Sequence, residues 1–279
     1  MQRSTRVVAG LARASHLGPT LAVTTLATAL AVGVGVAPAR ITLLCLAVLT
    51  GQLSVGWSND WIDADRDLAV GRRDKPIAAG EVTVASVRAG ALAAAALCVP
   101  LSLATGWRGG SAHLVAVGLA WAYNGRLKST PWSWTPYALS FALLSAFVTL
   151  SLPGHPWPSA WVLGAAALLG VGAHLANVVP DLEEDRRTGV RGLPHRLGRT
   201  GSSLLAPAAL LTATVLIVLG PPGPPAAWAW VGLLATAGVA VAGAGVALTR
   251  ARSRVPFYLT IAVAGIDVVL LVLASRHLV

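Results

Sequence analysis

The chain of 279 residues carries 21 Lys and Arg against 11 Asp and Glu, a formal charge of +10, yet only 11% of it is charged and 55% is hydrophobic. So apolar a composition excludes extended disorder, and a charge content well below the roughly 25% of an ordinary soluble domain leaves too little to cover a water-facing surface. A basic excess by itself is a nucleic-acid signal, but a mean hydropathy of +0.70 assigns it to a lipid bilayer instead, with no nucleic acid as partner.

The N-terminus from Met1 to Leu17 places three arginines before the first apolar run, like the n-region of a signal peptide. That run is too long and lacks a clear small-residue cleavage site, so it is read as a retained first span. A spanning helix needs about 20 mostly apolar residues. Runs near this length lie at 17–36, 41–57, 82–105, 111–124, 134–152, 159–179, 201–219, 225–248 and 255–275, with the fourth the shortest. Gly106 to Gly110 and Pro221 to Pro225 mark turns between them. The expectation is an all-α integral membrane protein: nine transmembrane helices in one bundle around a central cavity, forming a single domain over 1–279. Cys45 and Cys98 sit inside apolar runs as buried thiols, and no Cys/His metal pattern is present.

Cytoplasmic loops are enriched in Lys and Arg. With the N-terminus inside, 17 of the 21 basic residues fall in inside segments: Arg3, Arg6 and Arg13; Arg66, Arg72, Arg73 and Lys75; Arg126 and Lys128; Arg186, Arg187, Arg191, Arg196 and Arg199; Arg250, Arg252 and Arg254. Only Arg40, Arg108 and Arg276 fall outside, and Arg88 opens the third span. The N-terminus is therefore expected to be cytoplasmic, and the protein to lie in the plasma membrane.

Ten of the eleven acids occur in two short stretches, 60–81 and 181–185, both on the expected cytoplasmic side. If the second helix continues through the first stretch, Asp60, Asp63 and Asp67 share one face at i, i+3 and i+7, with Asn59 beside Asp63. Carboxylates so close repel one another, and a cation removes the conflict. All-oxygen donors suit a hard ion, above all Mg²⁺. Asp181 and Asp185, at i and i+4, form a second such pair. Basic residues follow each cluster: Arg72, Arg73 and Lys75, then Arg186, Arg187 and Arg191, with Arg126 and Lys128 in the loop between. Metal-holding carboxylates ringed by cations describe a diphosphate site. The competing reading of each juxtamembrane cluster is a solvated helix cap. Asp65 and Glu183 point off the proposed faces. Asp267, in the last span, is a functional group or an interhelical hydrogen-bond partner. His174 and Asn177 face the same side as Asp181, and Asn177 is a candidate support for the metal site.

Asn59-Asp60-x-x-Asp63-x-x-x-Asp67 resembles the first signature of the UbiA superfamily of intramembrane prenyltransferases. Asp181-x-x-x-Asp185, followed by Gly189 and Gly192-Leu193-Pro194-His195-Arg196-Leu197-Gly198, resembles the second. The resemblance implies Mg²⁺-dependent transfer of a prenyl group from a prenyl diphosphate donor to a small lipophilic or aromatic acceptor, a quinone precursor foremost. It also implies two Mg²⁺ ions, one held by Asn59, Asp60, Asp63 and Asp67, the other by Asp181 and Asp185. Arg72, Lys75, Tyr123 and Lys128, with Arg126 as the alternative to Lys128, are the implied diphosphate ligands. Two other readings stand beside it: a terpene cyclase of the same fold acting without an acceptor, and an ion-coupled transporter. Transporters place their key acids near the bilayer midplane, whereas these acids cluster at helix ends.

Overall fold

The computed structural model describes residues 2–250 and 253–279, with side chains from residue 7 onward. Arg252 and the side chains of Arg3 and Arg6, counted above for orientation, lie outside the described residues. Every regular element among the described residues is helical, as lipid requires, since a helix satisfies its backbone N–H and C=O groups within one segment. In chain order these are α1 (Gln2–Ala14), α2 (Leu17–Gly33), α3 (Pro38–Ile62), α4 (Ala64–Ala69), α5 (Val84–Ala104), α6 (Trp107–Gly125), α7 (Thr135–Leu150), α8 (Ala160–Val178), α9 (Leu182–Arg187), α10 (Leu193–Leu219), α11 (Ala227–Thr249) and α12 (Val255–Leu273).

Each of the nine expected runs coincides with one of these helices. Six of them are long and apolar enough, among the described residues, to cross a membrane alone: α3, α5, α8 with its extension to Arg187, α10, α11 and α12. The α2 helix meets the same test together with Val7–Ala14 of α1, from which it is bent by 62°. The α7 helix has only 16 residues, and α6 carries Arg108, His113 and Asn124.

One expectation about the acidic helices needs correction. Asp60, Asp63 and Asp67 do not lie on one unbroken helix. The α3 helix ends at Ile62, Asp63 adopts φ −87° and ψ −4°, and α4 starts at Ala64. This is the sparsely allowed bridge region, where many active-site residues sit. The Asp67 N–H still donates to the Asp63 carbonyl at 2.8 Å, so helical spacing is kept across the break. Asp181 ends a tight turn over Val179–Asp181 and is the N-cap of α9, and Asp185 lies within α9, so the two keep the expected i, i+4 spacing at the start of one short helix. Pro180 in that turn has no N–H to continue the α-helical ladder.

Boundaries follow local chemistry. Pro38, Pro136, Pro194 and Pro256 stand in the first turns of α3, α7, α10 and α12, where the missing N–H has no intrahelical partner to lose. The Thr83 hydroxyl accepts the Ser86 N–H at 3.1 Å and caps α5. The α10 helix begins earlier than expected and contains a kink at Gly198, with φ 71° and ψ 179°. The main core gathers apolar residues from α2, α3, α7, α8, α10 and α12, among them Leu30, Leu44, Phe147, Leu169, Leu210 and Leu271. Large apolar side chains such as Leu234 and Val241 on α11 face outward.

Small residues let the helices that carry the site approach closely. A Cβ on Gly170 of α8 would stand 2.3 Å from the Tyr137 carbonyl oxygen of α7. The Gly170→Val substitution must therefore push α8 off α7. We expect a loss of about 1–3 kcal/mol, seen as a lower unfolding midpoint of the detergent-solubilised protein; an unchanged midpoint contradicts this packing.

Candidate active site

The first acidic cluster is built at the junction of α3 and α4. Asp60, Asp63 and Asp67 are all buried. The Lys75 ammonium donates to Asp60 Oδ1 at 2.7 Å, and His16 Nε2 lies 2.9 Å from the same oxygen. Asp60 Oδ2 is buried without a hydrogen-bond partner among the described residues. Asp63 pairs with Lys128 and Arg66. Burial raises the Asp67 carboxyl above its ordinary value, opposed by nearby Lys75 and reinforced by Asp63. Asn59 donates from Nδ2 to Asn124 Oδ1 at 3.2 Å; Asn124 donates in turn to the Ser58 hydroxyl at 2.8 Å and the Val55 carbonyl at 2.9 Å. The α6 helix is thereby tied to the acidic end of α3.

Arg72 joins the two clusters. Its guanidinium donates to Asp74 at 2.8 Å, and also lies 3.6 Å from Asp181 and 3.5 Å from Glu184. The Asp74 hydrogen bond chiefly holds its pKa above the usual value, against burial and with help from Asp181. The same bond holds the Asp74 carboxyl below the usual carboxylate range. Asp185 Oδ2 lies 3.3 Å from His195 Nε2 in the first turn of α10. Beside these groups a cleft of about 490 Å³ is lined by Val70, Gly71, Arg72, Arg73, Asp74, Glu184 and Arg187. Segments far apart in sequence thus bring both acid clusters to one end of the bundle.

Between α6 and α7, Lys128 is buried and directed at Asp63, whereas Arg126 is exposed. Burial lowers the Lys128 ammonium pKa, while Asp63 counteracts it. Ser133 fastens this loop to the rest of the site: its hydroxyl accepts the Leu193 N–H at 2.9 Å and lies 3.0 Å from His174 Nε2. The Tyr123 and Tyr137 rings meet edge-on at 5.1 Å, and both border His174, at 5.6 and 4.9 Å. Sequence reasoning singled out Tyr123 and His174 but missed Tyr137, Ser133 and Asn124. Asn124 carried one readable signal, an amide beside Tyr123 at the end of an apolar run. Asn177 is exposed, as are Asp65 and Glu183. Asp267 accepts a hydrogen bond from Thr214, an interhelical link between α12 and α10.

Among the described residues no three His, Cys, Asp or Glu side chains are already gathered as a metal cage. Lysine and arginine nitrogens hold the carboxylates instead. The donor set still fits Mg²⁺, which takes one or two carboxylates and completes its shell with water and phosphate oxygens. Asp60 Oδ2, buried without a hydrogen-bond partner among the described residues, is the atom that such an ion would satisfy.

A family model, the UbiA prenyltransferase family, matches residues 20–262. The chain is 36% identical over 213 residues to the bacteriochlorophyll synthase 33 kDa chain of Cereibacter sphaeroides, covering 68% of each protein. It is 30% identical over 141 residues to the digeranylgeranylglyceryl phosphate synthase of Methanopyrus kandleri, covering 50% of this chain and 51% of that one. The solved structure of a UbiA homologue from Archaeoglobus fulgidus bound to GPP and Mg²⁺ has the same fold, with a TM-score of 0.70 at 16% identity over 96% of this chain and 99% of that chain. With the family model spanning most of its length, and a relative this similar over two thirds of it, the chain belongs to the UbiA prenyltransferase family.

Proposed function

We propose that the protein transfers a prenyl group from a prenyl diphosphate to a lipophilic or aromatic acceptor, in a Mg²⁺-dependent reaction at the cytoplasmic face of the plasma membrane. The observation that carries this reading is Arg72, which touches carboxylates of both acidic clusters. Lys75 and Lys128 each reach a buried aspartate of the first. Such a ring of cations and oxygen donors matches a ligand that carries a diphosphate head and an apolar tail. The 17-to-3 division of basic residues supports nine crossings with the N-terminus inside.

Asn59, Asp60, Asp63 and Asp67 would hold one Mg²⁺, and Asp181 and Asp185 a second. Bound there, the metal supplies positive charge to the phosphate oxygens. The chain's own part is electrostatic. Cleaving the allylic carbon–oxygen bond leaves a carbocation and a diphosphate, and Arg72, Lys75 and Lys128 stand ready for the charge that develops on the leaving group. The apolar helices exclude water, which would otherwise trap the cation before the acceptor attacks. The clustered rings of Tyr123 and Tyr137 offer faces that attract a cation. The acceptor is read as a ring compound, a quinone precursor on the family resemblance. Similarity to a bacteriochlorophyll synthase supports testing porphyrin acceptors beside it.

Purified protein supplied with Mg²⁺, labelled geranylgeranyl diphosphate and a panel of quinone-ring acids, phenols and porphyrins should release diphosphate and yield a prenylated acceptor. Chelation should stop the reaction, and Asp60→Ala or Asp181→Ala should abolish turnover while the protein still inserts. No release with any acceptor sinks the proposal, and a prenyl-derived product formed without acceptor selects cyclisation instead. The two basic residues of the α6–α7 loop should separate cleanly. Lys128→Ala is expected to lower kcat by about 10²–10³, the scale for losing one preorganised electrostatic group. Exposed Arg126→Ala should stay within about threefold of the wild type, since charge at an accessible site is screened. Equal losses for the pair, measured as initial rates of diphosphate release, contradict these roles.

A further inference from the structure

The segment that precedes α2 is clamped onto the acidic end of α3. Trp57 Nε1 donates to the Leu11 carbonyl at 2.8 Å. A Cβ on Gly56 would stand 2.4 Å from the Ser15 carbonyl oxygen, so only glycine allows the two backbones to touch there. Arg13 pairs with Glu81 and donates to the Asp74 carbonyl at 3.1 Å. Val7, Leu11 and Ala14 pack with Ile77, Val82 and Trp57. The clamp fixes where residue 16 lies relative to Asp60.

At that point the chain turns by 62° between α1 and α2, and the turning residue is His16 in the left-handed region, φ 52° and ψ 57°. A hinge alone would be met by glycine, for which this conformation is free of strain. Among the described residues only His155 is another non-glycine with positive φ. Strained backbone of this kind persists where the surroundings over-determine it, and it clusters at functional sites. What the strain achieves here is geometric: it delivers the imidazole to Asp60, with Nε2 at 2.9 Å from Oδ1. Lys75 reaches the same oxygen at 2.7 Å. Both protein partners therefore converge on Oδ1, and Oδ2 is left buried and unpartnered.

We propose that His16 is a positioning residue: it holds the Asp60 carboxylate by one oxygen so that the other is presented to a divalent cation. The proposal rests on the assignment of Asp60 as a metal ligand above. Outer-shell partners of this type govern the orientation of a ligand, and their loss typically lowers metal affinity by about 10–100-fold.

Direct binding tests it without turnover. The full chain in detergent is titrated with Mn²⁺ alone, a Mg²⁺ stand-in whose EPR signal reports the free ion. His16→Gly keeps the left-handed turn and removes the imidazole; His16→Asn keeps a polar side chain tolerated in that conformation but too short to reach Asp60. Both should weaken Mn²⁺ binding by about 10–100-fold, with unfolding midpoints no lower than that of the wild type for His16→Gly. If His16→Gly binds Mn²⁺ like the wild type while Asp60→Ala does not, His16 is a hinge only and the proposal is overturned. If Asp60→Ala also binds like the wild type, or the wild type binds no Mn²⁺, the metal assignment itself falls and takes this proposal with it.

Discussion

Carboxylates buried at the end of a membrane bundle need cations beside them, and the architecture of this site follows from that need. Taking one charge out of water costs several kcal/mol even after relaxation, and stripping a buried ion of its partner costs about 3–5 kcal/mol. Asp60, Asp63 and Asp67 are buried within one stretch of chain. Arg66 on α4 is a local partner of Asp63, while Lys75 comes from the connection after α4 and Lys128 from the connection after α6. Backbone turns hold these cations in place. The Arg72 N–H donates to the Asp67 carbonyl at 3.0 Å, and the Lys75 N–H to the Arg72 carbonyl at 3.0 Å. The connection that looks irregular in sequence is thus a wound strap that returns two cations over the acids just before it.

The same requirement joins the two halves. The first acids end α3 and the second follow α8, so neither element alone surrounds a ligand. Arg72 bridges them, being within 3.6 Å of Asp181 while its loop belongs to the first cluster. The Ser133 hydroxyl makes a second link, since it receives the N–H that opens α10 and touches the imidazole of α8. Charge sets which loops meet, and short polar contacts set how closely.

Legibility in the sequence followed the same division. Asp and Glu are rare here, so ten of eleven in two short stretches marked the site at once, and the basic residues around them marked its chemistry. Each apolar run fell on a helix, because a helix satisfies its own backbone polar groups in an apolar setting, although only six of these helices are long and apolar enough to cross a membrane alone, among the described residues. The break at Asp63 was not legible, because its bridge-region backbone keeps helical hydrogen-bond spacing and leaves no proline or glycine behind. Nor were Asn124, Ser133 and Tyr137. Each is an ordinary residue whose meaning lies in a partner 40 or more positions away, or in a ring packed across another helix. The contact of His16 with Asp60 was not legible either, because it depends on Gly56 allowing two backbones to touch.

The basic residues face two demands that cannot be met at full strength together. Without ligands, Lys75 and Lys128 neutralise Asp60 and Asp63. On the proposed reading, the same ammonium groups are wanted by diphosphate oxygens, and the aspartates by Mg²⁺. On that reading the carboxylates would hold Mg²⁺ while Lys75 and Lys128 faced the diphosphate, which would leave none of these charges without a partner. Arg72 lies against Asp74, Asp181 and Glu184 at once, so its side chain holds the loop after α4 to the second acidic cluster and keeps the two ends of the site together.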